Sequence, residues 1–382
     1  EHNLHGIDID PRAVQIAALA LWLRAQKTWK NLGLKAPERP RIARSSIVTA
    51  EPMPGEEDMR REFTAGLKPR VLGQIVDEVF EKMKLAGEAG SLLKIEEEIK
   101  DAVAAAGKQW REGPKPEQQL LFPDMEARRP KQQELRFDVK GITDVRFWEQ
   151  AEDRILDALK EYAEQAENGR AVRRRLFAED TARGFAFIDL CRKRYDVVLM
   201  NPPYGDTTER VKRILDKLYS RTRGNLYTAF IERVADLLFN RGLSGALTER
   251  MWAFQPSFRH LREQVIFPSL RPQVFLDLMF GVLDDAFNRT AAYVLEKDSS
   301  SCGNVCFIDL RRVNEKETAL NEVFAGTFYS HPAFCVRSLE RMRNYPGCML
   351  LYSLPPKLEE FFVKAPKVGE YIGTTAEGRQ TS

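Results

Sequence analysis

Histidine and cysteine are scarce: the 382-residue chain holds 4 of the first and 5 of the second. The cysteines (Cys191, Cys302, Cys306, Cys335, Cys348) form no CxxC pair, so no zinc site is expected and reduced thiols of a cytoplasmic protein are. Long apolar runs are missing too. The longest near the start, Ile16 to Leu23, is far below the roughly 18 to 20 residues a bilayer span demands. The chain opens on Glu1-His2-Asn3, with no methionine and no charged, apolar, small-residue leader pattern, and is expected to be a fragment or a processed piece.

What is present is enough apolar content, 43%, to bury at least one sizeable core in two or three compact domains. The net charge of +3 conceals an uneven distribution. From Arg170 to Arg223 there are 14 Lys or Arg against 7 Asp or Glu. Such a local excess suits a phosphate backbone, which rewards nearby cations through counterion release. A solvated basic face without a partner is the alternative.

The first segment reads as strand, turn, helix. Leu4 to Ile9 is a short apolar run, Asp10 is an N-cap, Pro11 takes the first helical position, and Val14, Ala17, Ala18 and Leu21 mark one face. The helix is expected to end near Lys30 to Gly33, with a second strand within Arg41 to Thr49. From about Glu51 to Asp180 the composition becomes helical, with a polar, proline-bearing linker from Gly113 to Pro130. Alternation then resumes: strands over Tyr195–Met200, Leu243–Leu247, Val274–Phe280 and Ala291–Glu296, helices over Leu226–Phe239 and Phe258–Phe267. That order predicts an α/β protein with a largely parallel sheet covered by helices on both faces. The expected division is 1–50, first part of the core; 51–180, helical insertion; 181–298, remainder of the core; 299–382, a further region of short strands and loops.

Two stretches carry chemistry. In "HGIDIDP", residues 5–11, an acid at the carboxyl end of a strand can accept hydrogen bonds from the two hydroxyls of a ribose. Asp8 fits that role, with Ile9 placed to pack on the attached base. A surface carboxylate, or a second anion at the helix start, is the plainer reading of Asp8.

The second is Asn201-Pro202-Pro203-Tyr204, directly after the strand YDVVLM. Proline biases its predecessor toward extended geometry, so Asn201 continues the strand and presents its side chain at the carboxyl edge of the sheet. The Asn201 side-chain oxygen and the Pro202 carbonyl are two acceptors, and two acceptors match one NH₂ group. An exocyclic amine on a base is a poor nucleophile because its lone pair is delocalised. Hydrogen bonds from both protons favour a pyramidal nitrogen and stabilise the positive charge that grows as it attacks. Tyr204 can stack on a base pulled out of a duplex. A proline-rich turn with a surface tyrosine is the alternative.

GIDIDP with the following RAVQIAALALWLRA, then YDVVLMNPPYG, NLYTAFIERVADLL (225–238) and LDLMFGVLDDAFNRTAAYVLEK (276–297) together resemble the adenine-specific N6 DNA methyltransferases, and within them the large enzymes of type IIG restriction-modification and of the BREX and DISARM phage-defence systems. The resemblance implies a Rossmann-like class I methyltransferase core, S-adenosylmethionine as methyl donor, Asp8 and Ile9 at the cofactor, and Asn201, Pro202, Pro203 and Tyr204 as the catalytic motif. It also implies double-stranded DNA and other defence-system subunits as partners, and a target-recognition region beginning after about Ser299.

The chain departs from the family where a glycine-rich cofactor loop should precede the Asp8 strand, so the core is expected to be incomplete at its N-terminus. Ser45 and Ser46 are the nearest residues to the family's polar contact with the cofactor adenine, and neither is assigned it. Trp252 and Phe254 could line a base pocket or be core; Asn225 reads as a helix cap; Cys302 and Cys306 as unpaired thiols; Arg173 to Arg175 as phosphate contacts or helix decoration. Two rival functions remain. One is a noncatalytic DNA-binding subunit or remnant; the other is an RNA adenine or protein glutamine methyltransferase using the same amine chemistry.

Overall fold

The computed structural model describes residues 3–42, 45–112, 144–164, 170–204, 207–222, 225–282, 289–298, 303–325, 331–355 and 357–359. The expected linker over Gly113–Pro130 and Cys302 lie outside them. Contacts divide the chain into two compact bodies, Glu1–Lys193 and Arg194–Ser382.

The first body opens as its sequence predicts. Strand β1 (Gly6–Asp8) pairs in parallel with β2 (Ile47–Thr49), Asp8 opposite Thr49. Between them runs helix α1 (Pro11–Asn31). Asp10 caps it by accepting from the Arg12 backbone N–H at 2.9 Å, and its side chain also engages the Arg12 guanidinium. That guanidinium holds the Asp10 carboxyl below the usual aspartate range. The helix stops where Gly33 takes the left-handed conformation (φ +77°), which a side chain would resist. No residue of α1 is buried, so its apolar stripe of Ile16, Leu19 and Leu23 faces outward.

The helices that follow build their own core. They are α2 (Glu57–Gly66), α3 (Arg70–Lys82), α4 (Lys100–Glu112), α5 (Asp144–Glu164) and α6 (Ala171–Arg192). Apolar residues at helical spacing (Leu72, Ile75, Val76, Val79; Trp148, Ile155, Leu159) turn inward and are buried. Aromatic edges lock the helices together: Phe63 meets Tyr162 at 5.6 Å between centroids, and Phe80 stacks on Phe177 at 5.9 Å.

The second body is a six-stranded sheet in the order β3-β4-β6-β5-β7-β8: β3 (Tyr195–Met200), β4 (Leu238–Glu249), β5 (Leu270–Met279), β6 (Thr290–Lys297), β7 (Asn304–Asp309) and β8 (Phe334–Ser338). It is mixed, not largely parallel. Only β3 with β4 and β5 with β7 run parallel, while β6 lies antiparallel between β4 and β5. The reason is the link between β5 and β6, residues 280–289, which is shorter than the dozen or more residues a parallel crossover requires. The strands after residue 299, β7 and β8, extend this same sheet.

Alternation along the strands divides the core between two faces. Phe275, Tyr293 and Phe307 join one cluster with Tyr227, Ile231 and Val234 of helix α8 (Leu226–Leu237). Their neighbours Leu276, Ala292 and Ile308 belong to the other, covered by helix α9 (Lys316–Phe324) through Ala319 and Val323. Helix α7 (Glu209–Leu218) lies between β3 and α8 in the chain and buries Val211 and Leu215. The helix expected over Phe258–Phe267 is a chain of short turns, with wider π-type winding over Arg262–Ile266.

Candidate functional site

β3 pairs with β4 up to Met200, opposite Ala246, and no further. The next two residues explain this: Pro202 and Pro203 have no N–H to give to a ladder. The chain therefore lifts off at Asn201 and crosses the carboxyl end of β4. Asn201 and Pro203 are exposed and Pro202 is buried. Tyr204 is half-buried, because its hydroxyl donates to the Leu247 carbonyl at 3.2 Å. It is thus an anchored ring, not the free surface aromatic its sequence context suggests. Burial, with the charge of Glu249 adding to it, pushes the Tyr204 phenol above the ordinary tyrosine range.

β3 itself is less buried than its four apolar residues in a row, Val197 to Met200, suggest. Val198 and Met200 pack on the core, while Val197 and Leu199 are exposed, Leu199 by 80%. Among the described residues β3 is an edge strand, paired on one side only.

Asp8 is exposed at the end of β1. One carboxylate oxygen accepts from the Asp10 backbone N–H at 2.9 Å. The other has no hydrogen bond among the described residues. Ile9 is half-exposed and lies close to Gly90, where an added Cβ would come within 3.3 Å of its methyl. Asp8 with Ile9 belongs to the first body and Asn201 through Tyr204 to the second. Ser45 accepts from the Ile47 N–H just before β2, and the Ser46 carbonyl accepts from the Gly6 N–H across to β1.

Trp252 is fully buried, with its ring 5.0 Å from Tyr293 and 5.9 Å from Phe275, and is core. Phe254 is half-buried beneath the Arg250 guanidinium, 4.2 Å from its centroid. Asn225 stands at the N-cap of α8 without a side-chain cap; instead its carbonyl accepts from the Thr228 hydroxyl at 2.7 Å. Burial raises the Cys306 thiol above its usual range. No cluster of metal-ligating side chains occurs among the described residues. Arg173, Arg174 and Arg175 pair with Asp58, Glu62 and Glu179, which fits helix decoration better than phosphate contact.

Three groups at this rim escaped the sequence reading. Glu249 ends β4, half-buried, and burial holds its carboxyl above the usual glutamate range. Tyr227 is buried, and the charge of Glu249 adds to the effect of burial in raising its phenol above the ordinary range. Arg250 forks onto the fully buried Asp277 of β5 at 2.7 and 2.6 Å, and Tyr352 donates to the same carboxylate at 2.9 Å. The available signal was "LTER", an acid and a base directly after the strand that neighbours β3.

The model of the Eco57I restriction-modification methylases matches residues 2–269, which include Asp8, Asn201 to Tyr204 and Glu249. The chain belongs to this family. Among curated proteins, this methylase chain is 26% identical over 108 residues to the adenine-specific methyltransferase PglX of Lacticaseibacillus casei (strain Zhang), covering 27% of this chain and 9% of that protein. It is 24% identical over 195 residues to the adenine-specific methyltransferase BrxX of Escherichia coli O9:H4 (strain HS), covering 46% of this chain and 15% of that protein. The methylase chain thus spans a small part of the relatives it matches. Among solved structures, the M protein of the type I restriction enzyme EcoKI aligns with a TM-score of 0.30 at 12% identity, over 52% of this chain and 57% of that one. That likeness is too low to carry an argument.

Proposed function

We propose that this chain is part of a site-specific DNA adenine-N6 methyltransferase of a restriction-modification or phage-defence system, using S-adenosylmethionine. The observation that carries the reading is Asn201: exposed at the carboxyl end of β3, stopped there by two prolines, and followed by a tyrosine tied to the next strand.

The residues fit the cofactor as far as they reach. Asp8 offers an exposed carboxylate oxygen to a ribose diol, and Ile9 an apolar surface to the cofactor's adenine. When bound, S-adenosylmethionine supplies an electrophilic methyl group. The chain's own work is on the acceptor amine. Asn201 Oδ1 and the Pro202 carbonyl accept its two protons, concentrate the lone pair on nitrogen, and stabilise the charge that develops there. The anchored ring of Tyr204 presents a face on which an extruded base can stack. Residues past 299 we assign to the lead-in of a target-recognition region, and duplex DNA to the partner.

The test is transfer of labelled methyl by the full-length protein to duplex DNA, RNA and protein. Asn201→Ala should lower transfer to DNA by about a hundredfold or more while cofactor binding persists. Undiminished transfer in that variant, or transfer confined to RNA or to glutamine in protein, would overturn the reading.

A further inference from the structure

Glu249 closes β4 three positions beyond Ala246, the partner of Met200, so it stands on the carboxyl edge from which Asn201 leaves β3. Leu247, which accepts the Tyr204 hydroxyl, lies two residues earlier, about 7 Å along the strand. The charge of Glu249 is felt by two phenols, those of Tyr204 and Tyr227, and raises both behind the larger effect of burial. The carboxyl therefore lies within electrostatic reach of both phenols.

No neighbour satisfies it. Arg250, next in the chain, is committed to Asp277. The Thr248 hydroxyl is shared between Tyr293 and the Glu249 carbonyl. Tyr204 donates to Leu247. Among the described residues the Glu249 carboxyl has neither an ion pair nor a hydrogen bond. Burial without a counter-charge shifts a carboxyl toward its neutral form, which carries an O–H donor, and a base that closes over it and excludes water shifts it further the same way.

We propose that Glu249 is a base-recognition residue: its carboxyl donates to the ring nitrogen beside the exocyclic amine that Asn201 and Pro202 hold. This rests on the adenine reading above. Adenine presents, side by side, an NH₂ group that donates and a ring nitrogen that accepts. Guanine and thymine present a carbonyl and a ring N–H in the same places. Two acceptors followed by one donor match adenine and oppose those two bases, and a site with placed polar groups rejects a mismatched edge strongly.

The experiment uses the full-length protein on duplexes carrying its own site, located by sequencing N6-methyladenine in cells that express it. The target adenine is replaced by 1-deazaadenine, in which the ring nitrogen becomes C–H and the amine is kept. The wild type should lose about tenfold or more in transfer, a readout that needs no variant. Glu249→Leu should lose a similar factor on adenine and nothing further on 1-deazaadenine. Glu249→Gln, which keeps an N–H donor, should recover most of the rate. It should also lack the wild type's decline as pH rises through the titration of this acid. An equal penalty from 1-deazaadenine in wild type and Glu249→Leu, or none in the wild type, overturns the assignment of Glu249 alone. Absence of transfer to any adenine by the wild type overturns the adenine reading itself.

Discussion

The Tyr204 hydroxyl donates to the backbone carbonyl of Leu247 at 3.2 Å, which ties the segment leaving β3 to the carboxyl end of β4. A residue proposed to stack on a base is thereby held at its far end, so the ring loses little freedom when the base arrives. Tyr204→Phe keeps the ring and removes the tie, a neutral hydrogen bond of about 1 kcal/mol. Its transfer rate should fall by no more than about tenfold. Tyr204→Ala removes the ring as well, and base stacking of roughly 1 to 3 kcal/mol predicts a further loss of about 5- to 100-fold. Steady-state methyl transfer by both variants separates the two contributions, and equal rates would show that the ring face is unused.

Much of this site is legible from the sequence because its signals are local. The consecutive prolines 202 and 203 offer a ladder no N–H at two successive positions, and Asp10 with Pro11 is a local helix-start signal. What is not legible depends on residues distant in the chain. The placement of β6 between β4 and β5 is a choice among neighbours that the order of elements does not dictate. The α8–β4 boundary also moves: the helix stops at Leu237 and the strand starts at Leu238. There Arg241 takes a positive φ of 66°, and a Cβ on Gly242 would meet the Phe239 carbonyl at 2.9 Å. Trp252 reads as core more than as pocket, and its contacts with Tyr293 and Phe275 place it in the core. Glu249 looks like an ordinary turn residue until β4 is seen beside β3.

The ion pair that fixes the end of β4 should dominate the stability of the second body. Asp277 is fully buried, and Arg250 and Tyr352 both bind it, joining β4, β5 and a segment 75 residues further on. Removing one partner of a buried pair leaves the other charge uncompensated and typically costs about 3 to 5 kcal/mol. Asp277→Asn is expected to fall in that range by chemical denaturation. Tyr352→Phe, which removes a single hydrogen bond to a charged group, should lose about 2 kcal/mol.

Arg262 is expected to tolerate no conservative exchange. It is fully buried, and its guanidinium donates to three carbonyls: Trp252 at 2.6 Å, Gly347 at 2.7 Å and Gln255 at 2.9 Å. Burial brings its pKa down to about 10, so it remains charged at neutral pH. A lysine ammonium cannot span acceptors that diverge around a planar fork. Arg262→Lys should therefore destabilise by about 2 to 3 kcal/mol. It should also loosen the turn from Trp252 to Gln255 that follows Glu249, read as faster hydrogen exchange there.

The first body should show a pH dependence centred on Glu152. This carboxyl is largely buried between α5 and α6, and its pKa is pushed up to about 7, first by burial and then by the charge of Asp189. The Trp148 indole donates to it at 2.9 Å, which offsets part of that rise. Because the folded pKa lies above the unfolded value of 4.5, the folded state binds the proton more tightly. The contribution to stability is fully present below about pH 4.5 and is lost as pH rises through 7. Across that window the difference is about 3 kcal/mol at most. Urea unfolding at pH 5 and pH 8 should show the wild type losing stability over this interval relative to Glu152→Gln, whose amide keeps the indole bond and cannot ionise. Parallel pH curves for the two proteins would mean that Glu152 is solvated enough to ionise at its ordinary pKa.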